Sequence, residues 1–267
     1  MTTKIWKVFI SLALVAVLLV IAAEFGLRWM ISDQMKKDFA AQGTTTSAEP
    51  SISFGPTPIL LSQITGMIPQ VDVETPSTVQ ISEGSDGAPR VDGAPATKIS
   101  IDNLNIKDNA NPTAGHLEVN TELPEDFLLA QAQASMAAQT AKQQGGDFAS
   151  QLIRGLVKIT KVDALAAEQA VKVEFTDGAA TLTLRPTLEN GALKFKAEDA
   201  SLLGMNLPSQ VTDTLTTAME KQATELSGLL KVDQLQVEDT KISLRLVGDN
   251  VPLNELQGTG EPQRPRN

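Results

Sequence analysis

Sixteen consecutive residues, Val8 to Ala23 (VFISLALVAVLLVIAA), contain no charge, no proline and no glycine. As a helix this run is ~24 Å long at ~1.5 Å per residue, slightly short of the ~30 Å hydrocarbon layer of a bilayer. Its flanks lengthen it. Ile5 and Trp6 precede it, and Phe25, Leu27, Trp29, Met30 and Ile31 follow, interrupted by Glu24, Gly26 and Arg28. The two tryptophans of the chain, Trp6 and Trp29, fall ~34 Å apart on such a helix, near the spacing of the two interfaces where Trp sits. Lys4 and Lys7 on the amino side place the N-terminus in the cytoplasm. A charged start, an apolar middle and the small Ala22 and Ala23 also describe a cleavable signal peptide. Val20 and Ile21 are mediocre residues three positions before a cut, so an uncleaved anchor is the favoured reading. The expected organisation is a cytoplasmic terminus over 1–7, a transmembrane signal anchor or signal peptide over 8–30, an extracytoplasmic domain over 31–256 and a polar, disordered tail over 257–267.

Composition narrows the chemistry. The 267 residues carry a net charge of −10, which disfavours nucleic acid as a partner because phosphate contacts need clustered Lys and Arg. Acidity concentrates between Asp72 and Asp126, so contact of that region with anionic headgroups would have to be apolar. The chain has no Cys and one His. That excludes a Cys nucleophile, a Cys-based zinc site and any site built on two His.

Along the chain, Leu27, Ile31, Met35 and Phe39 recur at i+4 on an amphipathic continuation of the anchor, Glu24 to Gln42. Ser51 to Phe54 reads as a short strand. Val71, Val73, Val79 and Ile81 alternate with polar residues. The stretch Glu83 to Thr97 (EGSDGAPRVDGAPAT) reads as a surface loop. Ile99, Ile101, Leu104 and Ile106 form the next strand, with a bulge near Asn103, and Leu117 and Val119 another. Pro124, Glu125 and Asp126 open a helix that Gly145-Gly146 breaks. Asp147 caps a second helix with Phe148, Leu152, Leu156 and Val157 on one face.

A meander follows. Val171, Val173 and Phe175 lead to an Asp177-Gly178 turn, then Leu182, Leu184 and Pro186, a second turn at Glu189-Asn190-Gly191, and a strand at Leu193 and Phe195. Leu207, Val211, Leu215, Met219 and Ala223 predict a helix ending near Gly228. Leu235 and Val237, then Ile242, Leu244 and Leu246, are the last strands. The fold class expected from these elements is α+β: a transmembrane helix, then antiparallel strands with amphipathic helices along one face.

Few residue groups could support catalysis. His116 could serve a Ser-His-Asp site, but no G-x-S-x-G supplies a nucleophile. Asp72, Glu74, Glu118 and Glu122 could pair for glycoside hydrolysis, yet their alternation predicts solvent-facing side chains. The run Asp102 to Asn111 lacks the calcium-loop pattern. No catalytic residue, metal or cofactor is expected. The two apolar segments bordered by Pro and Gly stand out instead. Ile59, Leu60, Leu61, Ile64 and Met67 in one, and Leu202, Leu203 and Met205 in the other, lie outside clear strand or helix periods. They can line or gate an apolar groove for a lipid chain, or simply cap an ordinary core.

Three stretches in order carry a resemblance: Ala23-Glu24-Phe25-Gly26-Leu27-Arg28; SISFGPTPILL (Ser51 to Leu61), with Gly66 and the strand Gln70 to Glu74; and the Asp177-Gly178 meander leading to Leu202-Leu203-Gly204 and Leu207-Pro208. Together they resemble the actinobacterial LmeA-like phospholipid-binding family. The resemblance implies a tubular lipid-binding type of fold, in which a twisted antiparallel sheet wraps long amphipathic helices around an apolar groove. It implies a bound phospholipid or other membrane lipid, a place at the outer side of the cytoplasmic membrane, envelope biosynthesis proteins as further partners, and a role in envelope lipoglycan assembly. It implies no catalytic residues. A scaffold domain without a lipid, and a glycolipid-modifying enzyme, are the alternatives that the residues leave open.

Overall fold

The structure, a computed structural model of the chain, describes residues 24, 26–37, 48–84, 87–108, 110–142, 158–189, 191–208 and 229–257. The apolar run Val8 to Ala23, the helix expected from Asp147 and most of the helix expected from Leu207 lie outside these residues, as does the tail beyond Gln257. The chain divides into two compact units. One comprises residues 1–75, 99–117 and 249–267, the other 76–98 and 118–248.

The first unit begins with a helix (α1, residue 24 and residues 26–37) whose Leu27, Ile31 and Met35 are half-buried while Trp29 and Met30 are exposed. β1 (Ser51–Ser53) pairs antiparallel with β2 (Met67–Thr75), Ile52 opposite Val73. Between them lies the short helix α2 (Ile59–Thr65). Most of β5 (Thr97–Asn105), the start of β6 (Thr113–Pro124), the end of β13 (Lys241–Pro252) and a closing turn of helix, α4 (Leu253–Gln257), complete the unit. The expected bulge near Asn103 coincides with a left-handed residue, φ 55°. Gly115 accommodates it, since a Cβ there would sit 2.9 Å from the Asn103 Cβ. Phe54, Ile59, Val71, Ile101, Ala114, Leu117 and Val251 are buried apolar residues of this unit.

The second unit holds a hairpin, β3 (Gln80–Glu83), which is exposed, with β4 (Pro89–Asp92), whose Pro89 and Val91 are half-buried, and a five-stranded antiparallel sheet. Its strands are β7 (Ile159–Leu165), β8 (Ala170–Phe175), β9 (Ala180–Glu189), β10 (Ala192–Leu202) and β11 (Met205–Asn206), in the order β11-β10-β9-β8-β7. β12 (Lys231–Glu238) pairs antiparallel with β13, Val237 opposite Ile242. Ile159, Val162, Val171, Val237 and Ile242 form the buried cluster, and Leu128, Leu129, Ala132 and Met136 of helix α3 (Glu125–Lys142) pack on it. Glu125 fixes the helix start: its amide donates to the Thr240 carbonyl at 3.0 Å, and its carboxylate accepts the Ala164 amide at 2.6 Å.

Several expectations are corrected. Among the described residues the fold is not a sheet wrapped on long amphipathic helices. Strands dominate, and no helix among the described residues is long and apolar enough to cross a membrane. The reason lies in α3. It is Ala- and Gln-rich with few large apolar groups, and the buried cluster it packs on is made of strand residues, Ile159, Val162, Val171, Val237 and Ile242. The Gly-, Ala- and Pro-rich stretch after Glu83 is not all loop, because Pro89 to Asp92 pair with β3. Leu207 and Pro208 are irregular rather than helical. Ile159 to Leu165, not expected as a strand, forms β7.

Candidate functional site

Two exposed apolar surfaces, one in each unit, contain most of the residues singled out in the sequence. The first is α2. Gly55-Pro56-Thr57-Pro58 leads into it, and Pro58 precedes the helix in extended conformation without offering a side-chain cap. Glu24 of α1 takes over that role. Its carboxylate accepts the Ile59 amide at 2.6 Å and the Leu60 amide at 3.1 Å, two of the donors every helix start leaves unpaired. Arg28 pairs with the same carboxylate at 2.8 Å and donates to the carbonyls of Gly55 and Thr57. Two of the resemblance-bearing stretches are thus bound to one another. The helix ends at Gly66 in the left-handed region, φ 68°, where its amide reaches the Ser62 carbonyl and a Cβ would collide with the Lys107 side chain.

Held this way, α2 is inverted. Ile59 and Ser62, three residues apart, face inward; Ser62 is 2% exposed. Leu61 and Ile64, also three apart, face outward, and Ile64 is 84% exposed. Met67 just beyond is exposed and Leu60 half-buried. A surface helix ordinarily turns its large aliphatics in and its serine out. The α2 sequence ILLSQIT carries no charge. Of the five candidates in this segment, Ile59 therefore belongs to the core, and Leu61, Ile64 and Met67 present free apolar surface.

The second surface is the β10–β11 hairpin. Ser201 pairs with Asn206 and Leu202 with Met205, leaving a two-residue turn at Leu203-Gly204. Both turn residues adopt positive φ, 51° and 76°. Leu202, Leu203 and Met205 are exposed, Leu203 at 73%. The residues that the sequence grouped into one groove are in this way divided between the two units.

The polar candidates are tied up locally. Glu118 pairs with Arg245 and accepts from the Asn120 amide; Glu122 pairs with Lys241 at 2.8 Å; Asp72 accepts from Gln70. His116 Nδ1 lies 2.7 Å from Asp249, with both side chains exposed. Among the described residues no group of three or more His, Asp and Glu is placed to hold a metal. Sequence reasoning missed the Glu24 cap and the inward serine. Their only trace was a Glu four residues before Arg28 and a Ser amid the aliphatics of ILLSQIT.

Among the described residues, each unit thus leaves uncharged aliphatic side chains exposed. The sequence pattern of the LmeA-like phospholipid-binding family matches residues 22–247, and the chain belongs to that family. Comparison with curated proteins and with solved structures returned no match.

Proposed function

We propose that the chain is a non-enzymatic, extracytoplasmic phospholipid-binding or lipid-shuttling protein that works at the cytoplasmic membrane and supports envelope lipoglycan assembly. Membership of a phospholipid-binding family supports the ligand class. The single observation that carries the reading to residues is the inversion of α2, with Ser62 inside and Ile64 outside. An acyl chain laid on Leu61, Ile64 and Met67 gains ~0.8 kcal/mol per CH₂ removed from water, which a few methylenes make substantial. Left in water, these side chains contribute little to folding. Export is supported by the apolar run Val8 to Ala23 behind Lys4 and Lys7.

The test is transfer of a labelled phosphatidylcholine from donor vesicles to the chain. Saturable uptake by the wild type is expected, with a several-fold loss in the double variant Leu61→Gln/Ile64→Gln at an unchanged unfolding midpoint. No uptake by the wild type would reject the lipid reading. Full uptake by the double variant would reject α2 as the contact.

A further inference from the structure

We propose that the β10–β11 hairpin is a bilayer-docking tip: Leu202, Leu203 and Met205 enter the interfacial zone of a phospholipid membrane while the rest of its unit stays in water. The proposal rests on the reading of the chain as a phospholipid binder and adds a second mode of contact, with the membrane surface rather than with one lipid molecule. Its first support is shape. Among the described residues nothing lies within 4 Å of a Cβ built on Gly204, so that side of the turn faces open space.

The second support is backbone conformation. A two-residue hairpin turn with both residues at positive φ favours Asn or Asp followed by Gly. Here the first position is Leu203, a γ-branched apolar residue at φ 51° and 73% exposed. Neither the turn geometry nor the core gains from a leucine there, whereas a partner that solvates its side chain would.

Charge is the third. Residues 200–208 (ASLLGMNLP) carry none. The Leu203 amide donates to the Ala179 carbonyl at 2.7 Å, which holds the tip beside the β8–β9 turn. That turn contains Asp177, and Lys158 is joined to it through its carbonyl, which accepts the Thr176 amide. Glu174, whose carboxylate lies 3.9 Å from a Cβ built on Gly178, is paired with Lys172 at 2.8 Å. Acids and bases are mixed here and no basic cluster forms, so docking should depend on apolar insertion and not on anionic lipid. Three side chains on an exposed turn also fall short of the ~800 Å² per partner that a stable protein interface buries. Insertion into lipid has no such requirement.

The chain has no cysteine, so a single-site fluorescent label is specific. Leu203→Cys and Glu168→Cys, each carrying an environment-sensitive fluorophore, are compared in the full chain reconstituted with phosphatidylcholine vesicles. Glu168 lies exposed in the β7–β8 turn, at the opposite end of the same sheet. The Leu203 label is expected to shift to the blue and to be quenched by lipids brominated in their acyl chains, and the Glu168 label to do neither. In a second pair labelled at Leu202→Cys, adding Leu203→Asn, which suits the turn, should cut quenching several-fold while the chain stays folded. A Leu203 label that remains water-like would overturn the proposal. So would a blue shift that appears without vesicles and fades on dilution, since a second copy would then be the occupant. Phospholipid bound per chain, measured on the same samples, separates the two readings: a wet tip on a chain that still carries lipid overturns docking alone.

Discussion

Glu24 accepts two amides of a helix that follows a proline and has no cap of its own. Glu24→Ala should therefore cost about 1–2 kcal/mol in denaturant unfolding, the magnitude of a lost N-cap. Glu24→Gln keeps an acceptor oxygen and should cost less. Equal stability of both variants with the wild type would mean that α2 does not depend on this bond. A second residue-scale expectation concerns Glu198 in β10. The Arg185 guanidinium hydrogen-bonds its carboxylate at 2.6 Å and, outweighing partial burial, holds its pKa below the ordinary glutamate value. Its small contribution to stability is thus present above that ordinary value and lost as pH falls through the lowered one. Carboxyl chemical shifts followed across acid pH should show Glu198 titrating below the ordinary glutamate value, and Arg185→Gln should abolish the difference. At this scale the sequence is readable only in part. The aliphatic excess of Leu61, Ile64, Leu203 and Met205 is visible in the letters. The cap is not, because Glu24 and Ile59 are 35 residues apart and only tertiary structure joins them.

Helix α2 and the β10–β11 hairpin expose aliphatic residues for different structural reasons, and each can be tested alone. Ile59→Ala should destabilise by about 2–5 kcal/mol as a core truncation. Ile64→Gln should stay within ~0.5 kcal/mol, as surface changes do. The reverse pattern, read by thermal unfolding, would mean that the helix faces the other way. Leu203→Asn should raise stability by ~1 kcal/mol through relief of a left-handed leucine; a fall would show that Leu203 packs on protein. The meander β8 to β10 was legible because its strands alternate and its turns carry Asp177-Gly178 and Asn190-Gly191. Even there, the first connection is a four-residue loop, Thr176 to Ala179, rather than a tight two-residue turn. Pro186 sits inside β9 where a strand end was natural. It is tolerated because the pairing with β8 stops at Leu184, leaving no ladder bond on that side for its missing amide. β7 escaped notice because Ile159, Thr160 and Val162 directly follow the apolar face expected of the preceding helix, and short apolar runs do not declare their period.

At the scale of the molecule, family and fold class parted. The order of three short stretches was enough to indicate a phospholipid-binding family, yet among the described residues strands dominate, not the long helices that came with the resemblance. Helix signals such as Pro124-Glu125-Asp126 mark a start correctly, and α3 begins there. How much of the fold rests on helices is decided by which elements bury area, and here pairing strands of six to twelve residues do so. The candidate residues were found by what they lack, a period and a charge, and that test could not tell core Ile59 from exposed Ile64.

The central claim is that exposed aliphatic residues on a β scaffold bind phospholipid. Native mass spectrometry of the full chain, released from detergent after purification, measures it most directly, with lipid identity read by fragmentation. The wild type should carry phospholipid at close to a whole number per chain, and Leu61→Gln/Ile64→Gln should carry several-fold less at equal stability. A wild type that carries none, or a variant that keeps the full complement, would contradict the account.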